Sequence, residues 1–289
     1  MRIIFCGEDS FSASALESLI IDQHEILAVF CPVYDNNIHA RLKLVCNKHN
    51  IEFNRIEDIN SKKNELLIKK LKPELISVCH FEKILKNNII QIPLNGCINL
   101  HPSLLPNYRG LSPQHWPIIN GDNETGITVH FINEGIDTGD IILQHKIKID
   151  PHIYVSELQR KMLDVYKFIL KDAIKMLSRK ERDFITQITL KGSYFGKLRE
   201  EQCNININTG FLDAYNLIRG VSKPYFGAKF NEYRIWKASI ATNEVNQIIQ
   251  AKYKDNNLYF DSRIGVFIKF NDGSLIIDKY DKIINKQIL

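Results

Sequence analysis

The first hundred residues alternate short β-rich apolar runs with longer helical patterns, and this order restricts the fold more than any other feature. RIIF (2–5) precedes a helical pattern from Ser12 to Ile21, and HEILAVF (24–30) precedes another over 39–49. The amphipathic NELLIKKLK leads into ELISV (74–78), and a short helical piece at 84–90 leads into CINL. Alternation of this kind builds a parallel sheet covered on both faces. The expectation is an α/β, Rossmann-like N-terminal domain. Its first strand–helix turn holds Gly7 but no GxGxxG, which argues against a dinucleotide site.

Further along, TGITVHFI (125–132) and DIILQHKIKI (140–149), separated by NEGIDTG, read as an antiparallel pair closing the sheet. One long helix is expected over Val155–Leu177, where Leu158, Met162, Val165, Ile169 and Ile174 approximate an apolar stripe. After Lys180 the pattern changes. SRKERDFITQITLKGSYFGKLREEQ reads as a connecting segment, followed by a helix near Leu212–Arg219 and four short strands, RIWKASI, NLYFDS, GVFIKF and SLIIDKY. Short strands punctuated by Asn, Asp and Gly fit a small β-rich, OB-like domain. The expected division is an N-terminal domain over 1–185, a linker over 186–205 and a C-terminal domain over 206–289.

Composition narrows the class of function. Of 289 residues, 44% are hydrophobic and 25% charged, ordinary for a soluble globular protein. The net charge of +5 is spread along the chain, which permits an anionic substrate without demanding nucleic acid. The start, MRIIFCGEDSF, reads as neither a signal peptide nor a membrane span. Six cysteines include no CxxC pair, so neither a disulfide framework nor a zinc site is expected, and no metal site of another kind. A reducing cytoplasm is the natural setting.

The chemistry concentrates in CINLHPSLLPNYRG. On an extended segment Asn99 and His101 point to the same side. An amide N–H can donate to a carbonyl oxygen that becomes negative, while an imidazole handles a proton. The prolines at 102, 106 and 113 stiffen the loop that follows. A general base also wants an orienting carboxylate, which NEGIDTGD offers as Asp137 or Asp140. Either part alone is common: a lone His near a strand end is more often structural, and Asp before Thr-Gly is a favoured turn residue.

In combination, NLHPSLLPNYRG, Pro113, Trp116, NGDNETGITVHFI and GIDTGDIILQ resemble the folate-dependent formyltransferase superfamily, in order and at its spacing. MRIIFCGEDSFSASALESL resembles that family's first strand and loop. The resemblance implies that Asn99, His101 and Asp137 are the catalytic trio; Asp140 does not match and reads as a turn or strand-start residue. It implies N10-formyltetrahydrofolate as co-substrate, with the main chain at Leu85 and Asn133 holding the pterin and Asp137 beside it.

The family divides by acceptor. Where its tRNA branch carries a Gly/Arg/Lys-rich insertion, this chain reads CPVYDNNIHARLKL, with Asp35 kept and the basic residues gone. GSYFGKLREEQ and IRGVSKPYFGAKF are similar to segments of the amino-sugar formyltransferases, although Phe226 replaces a usual Pro. The expected acceptor is therefore a nucleotide-linked amino sugar made for surface polysaccharide or O-antigen, with no nucleic acid and no membrane as partner. A homodimer is expected. The Gly7–Ser12 loop, with Ser10 and Phe11, and Lys83 are expected near the acceptor's phosphates. Lys83 also borders the folate, and Arg109 and Tyr225 are further acceptor contacts.

Overall fold

The protein is described by a computed structural model covering residues 1–34, 36–179, 183–188 and 191–283. Asp35 and part of the expected linker lie outside the described residues. In chain order the elements begin with β1 (Arg2–Gly7), α1 (Ser10–Ile21), β2 (Glu25–Pro32), α2 (Ala40–Lys48), β3 (Phe53–Ile56), α3 (Lys62–Leu71), β4 (Leu75–Cys79), α4 (Asn87–Ile90) and β5 (Cys97–His101). Then come β6 (Arg109–Gly110), α5 (Trp116–Ile119), β7 (Glu124–Phe131), β8 (Ile141–Lys148), α6 (Val155–Tyr166), α7 (Ile169–Ser178) and β9 (Tyr194–Phe195). The last elements are α8 (Phe211–Val221), β10 (Ala228–Phe230), β11 (Tyr233–Ile240), α9 (Asn243–Lys252), β12 (Leu258–Asp261), β13 (Gly265–Lys269) and β14 (Ser274–Lys282).

They form two compact units. The first comprises Met1–Gly110, Thr125–Ile147 and Arg160–Tyr194. Its seven-stranded sheet runs β3-β2-β1-β4-β5-β7-β8. Strands β1 to β5 are mutually parallel, as their alternation with helices requires, and β7 joins β5 antiparallel. Ile3, Ile4 and Phe5 on β1 are fully buried, as expected of a parallel strand covered on both faces. From β1 the chain builds outward to β2 and β3, then returns to β4 on the other side of β1. In open α/β sheets such a reversal opens a crevice at the carboxyl ends of the strands.

The second unit comprises Leu111–Glu124, Lys148–Gln159 and the described residues from Phe195 onward. Its antiparallel sheet runs β10-β11-β14-β13-β12 over a core that includes Ile235, Phe267, Ile268, Phe270 and Leu275.

Several elements depart from the sequence reading, among them the short β6, α5, β9 and β10. The helix expected over Val155–Leu177 is two helices, because Phe168 leaves helical geometry at φ −136° and its ring packs edge-on against His145, 5.3 Å away. Strand β3 went unforeseen because Phe53-Asn-Arg-Ile56 offers little apolar alternation. Helix α9 was missed because its polar NEVNQIIQAK lies between two strands; Thr242 caps its N-terminus by accepting from Val245 N.

Candidate active site

Register places the chemistry. Parallel pairing of β4 with β5 aligns Val78 with Asn99 and Cys79 with Leu100. Antiparallel pairing of β5 with β7 aligns Asn99 with His130 and His101 with Thr128. Asn99 and His101 therefore share a face with His130, at the exit of β5.

The loop after β7 brings the carboxylate. Asp137 sits at φ +53°, a left-handed conformation that Asp tolerates better than most residues. Gly139 follows because a Cβ there would collide with the carbonyl of Phe131. Gln187 donates to the carbonyls of Asp137 at 3.1 Å and Gly139 at 2.6 Å. Asn133 Oδ1 accepts from Gly135 N and Thr138 Oγ1, so its side chain serves the turn. The Asp137 carboxylate accepts from Gly110 N at 2.9 Å and lies 3.5 Å from His101 Nδ1 and 3.5 Å from His130 Nε2.

The loop after β5 is equally fixed. Thr128 Oγ1 donates to Ser103 O and accepts from Leu105 N, and Gln144 Nε2 donates to Leu105 O. Tyr108, at φ +59°, is held through its N–H by Ser193 Oγ. Its carbonyl accepts from His101 Nε2 at 2.9 Å. A carbonyl can only accept, so Nε2 carries the proton and Nδ1 turns its lone pair toward Asp137.

Electrostatics follow from this geometry. His101 is 4% exposed, and burial pulls its imidazole below the ordinary value against the opposing pull of Asp137 and the Tyr108 carbonyl. For Asp137 burial works toward the neutral acid, yet His101, His130 and the Gly110 N–H outweigh it and hold the carboxyl well below the usual range. The site thus pairs a carboxylate with an imidazole that is neutral at rest and can accept a proton at Nδ1. Asn99 Nδ2 contacts Asp137 Oδ1 and His130 Nε2 at 3.3 Å each. Both are long for hydrogen bonds, so the amide is loosely engaged.

The expected trio therefore converges. His130 and Gln187 were missed. The first was legible as the residue two places after Thr128 on a strand antiparallel to NLH, the second only as a polar residue in an otherwise apolar FITQI. Leu85 is buried in the sheet core, and Lys83 is exposed in the loop after β4. Arg109 is half-buried on β6, where its N–H donates to Ser193 O. Tyr225 belongs to the second unit, where it meets His115 edge-on at 4.3 Å and accepts from Gln159.

The Gly7–Ser12 loop offers different chemistry from that expected of a phosphate cradle. Phe11 N and Ser12 N donate to Asp9 Oδ1, and Glu8 N and Asp9 N donate to Ser12 Oγ. The amides at the N-terminus of α1 are largely spent on the protein's own carboxylate. Ser10 is exposed, and the Phe11 ring stacks on His80 at 5.0 Å.

Comparisons with known proteins agree on the chemistry. The formyl transferase family model matches residues 1–174. A methionyl-tRNA formyltransferase of Clostridioides difficile (strain 630) is 30% identical over 302 residues, covering 100% of this chain and 94% of that protein. Its counterpart in Desulforamulus reducens is 34% identical, covering 83% of this chain and 76% of that one. Two solved structures share the fold. A sugar 3N-formyl transferase crystallised with dTDP and 5-N-formyl-THF superposes with TM-score 0.70 at 22% identity, covering 99% of this chain and 98% of its own. The N-formyltransferase of Helicobacter canadensis, in complex with folinic acid and dTDP-3-aminofucose, gives 0.70 at 21%, covering 97% and 100%. With the family matched over more than half its length and relatives spanning all of it, the chain belongs to the formyl transferase family and is an enzyme of formyl-group transfer.

Proposed function

We propose that the protein transfers the formyl group of N10-formyltetrahydrofolate to the amine of a dTDP- or UDP-linked amino-deoxy sugar. The observation that carries this reading is the meeting of Asn99, His101 and Asp137 at the exit of β5. The amine lone pair forms a bond to the formyl carbon, and the carbonyl π pair moves to oxygen. Asn99, released from its long contacts, donates to that oxyanion, and His101 can add its own stabilisation only once Nδ1 carries a proton. The amine's proton passes to Nδ1 of His101, directly or through water, and the imidazolium pairs with Asp137. Collapse breaks the bond to N10, which takes up the proton. The products are the formamide and tetrahydrofolate.

Support for the co-substrate comes from the reduced folates in the two related crystals. Main-chain groups at Leu85 and Asn133, beside Asp137 and Lys83, are the proposed folate contacts. Support for the sugar comes from the dTDP and dTDP-aminosugar in the same crystals, and from YFGKLR. The connection from β2 to α2 spans only 33–39, too short for a basic insertion of the kind the tRNA branch carries. Arg109, Ser10 and Phe11 are the proposed acceptor contacts in the first unit. The product would serve surface-polysaccharide synthesis.

Methionyl-tRNA as acceptor is a second reading, favoured by identities of 30% and 34% to methionyl-tRNA formyltransferases. The test offers N10-formyltetrahydrofolate with a panel of dTDP- and UDP-aminosugars or with charged initiator tRNA. Formylation of a sugar amine is expected. Formylation of the tRNA alone would overturn the sugar assignment.

A further inference from the structure

Two carboxyl groups stand at the exit of β1, and they are employed differently. Asp9 is engaged through both oxygens: Oδ1 accepts from Phe11 N and Ser12 N, and Oδ2 lies 2.8 Å from His80 Nδ1. Glu8 is engaged through one. Its Oε2 accepts from the Tyr34 hydroxyl at 2.6 Å and from Glu82 N at 3.2 Å. No hydrogen bond from the described residues reaches Oε1. Glu8 is 8% exposed, and a polar group buried to this degree calls for a partner from outside the chain, water or a ligand.

The place of Glu8 in the sheet favours a ligand. Glu8 follows β1, Tyr34 follows β2 and Glu82 follows β4, so the carboxyl is held at the carboxyl ends of three neighbouring strands. This is where the strand order reverses and a crevice opens. Tyr34 and the Glu82 N–H fix one oxygen and leave the other for whatever enters. Strand β5, with Asn99 and His101, lies two strand spacings from β1, roughly 9.5 Å. A sugar whose amine meets the formyl carbon beside His101 can cross that distance with its ring and far-side substituents.

We propose that Glu8 is an acceptor-specificity residue: its Oε1 hydrogen-bonds a ring hydroxyl of the amino sugar, so that the β1 exit reads the sugar and not the phosphates of its nucleotide. This deepens the reading of the acceptor given above and rests on it. A phosphate would bring negative oxygens against two carboxyl groups, with Phe11 N and Ser12 N already spent on Asp9. The acceptor's amine is required at the formyl carbon. A hydroxyl remains, and it both donates and accepts, so it pairs with a carboxyl in either protonation state. Burial raises the Glu8 carboxyl while the Tyr34 hydroxyl and the Glu82 N–H pull it back, and a hydroxyl suits both sides of that balance.

The test measures kcat/KM of the full chain for an amino-sugar nucleotide it accepts and for analogues each lacking one ring hydroxyl. Glu8→Ala should lower kcat/KM for the intact acceptor by about 10–100-fold, chiefly through the acceptor KM. The KM for N10-formyltetrahydrofolate should stay within about twofold. One analogue should be a poor acceptor for the wild type and lose little more in the variant, because the partner of Glu8 is already gone. Binding of dTDP or UDP alone should match the wild type. A variant that lowers every analogue as much as the intact acceptor, or that weakens the bare nucleotide equally, would overturn the proposal. Should Glu8→Ala not fold, Glu8→Asp, which keeps the carboxyl but withdraws it by one methylene, decides by the same criteria. A wild type that formylates no sugar defeats the functional reading; a Glu8→Ala variant that formylates the sugar as well as the wild type defeats this inference alone.

Discussion

The exits of β4 and β5 make a natural experiment. Each leads to a histidine facing a carboxylate, His80 half-buried and His101 buried, and the two imidazoles are pushed in opposite directions. The difference lies in how tightly each carboxylate is engaged. Asp9 meets His80 at 2.8 Å with Glu8 behind it. Asp137 stands 3.5 Å from His101 and divides its attraction among His101, His130 and the Gly110 N–H. Burial alone therefore does not set the charge of a histidine. A carboxylate at hydrogen-bond distance with a second one behind it favours the charged imidazole, and one at longer range shared with a second imidazole leaves a base that gains its partner only on protonation.

The contrast breaks most severely at the β5 exit. Asn99→Ala and Asp137→Ala should each lower turnover by about 100–1000-fold while far-UV circular dichroism stays native. His130→Asn, which removes one claimant on Asp137, should cost roughly tenfold in kcat, a change worth about 1.4 kcal/mol. At the β4 exit the main effect is on stability. Asp9→Ala removes both the cap of α1 and the counter-ion of His80, and should lower unfolding free energy by about 2 kcal/mol in urea titrations.

The pH dependence of stability sharpens the comparison further. His80 is raised, so its contribution is fully present below the ordinary imidazole value of about 6.5 and fades as pH rises through its folded value. His101 is depressed, so it favours the unfolded chain as pH falls below about 6.5. The difference between wild type and Asp9→Asn in urea midpoint should accordingly narrow from pH 6 to pH 9. Gln187→Ala, acting only through the backbone of the Asp137 loop, should have the smallest effect, about threefold in kcat/KM.

The same contrast explains what could be read from the chain alone. Parallel β–α alternation and the antiparallel C-terminal strands were legible because periodicity reports which face is buried. Asn99, His101 and Asp137 stood out as a group only through the resemblance, since taken singly NLH and GIDTG are common patterns that leave Asp137 and Asp140 as alternatives. His80 did not stand out, since CHFEK gives no sign that Asp9, 71 positions away, will meet it. Only the β1–β4 register reveals that. The reciprocal cap of the loop at 7–12 was hidden for a related reason: a turn before a helix suggests free amides, whereas Asp9 and Ser12 engage those of residues 8, 9, 11 and 12. The break at Phe168 carries neither Pro nor Gly, and it is packing against His145 that ends the helix.

Formyl transfer by wild type and His101→Asn, compared in one assay with N10-formyltetrahydrofolate and saturating amino-sugar nucleotide, tests the central claim most directly. The wild type should form the formamide, and the variant should retain well below about a tenth of its rate. A variant that works at more than that fraction, or a wild type that leaves every sugar amine unformylated, would contradict the account.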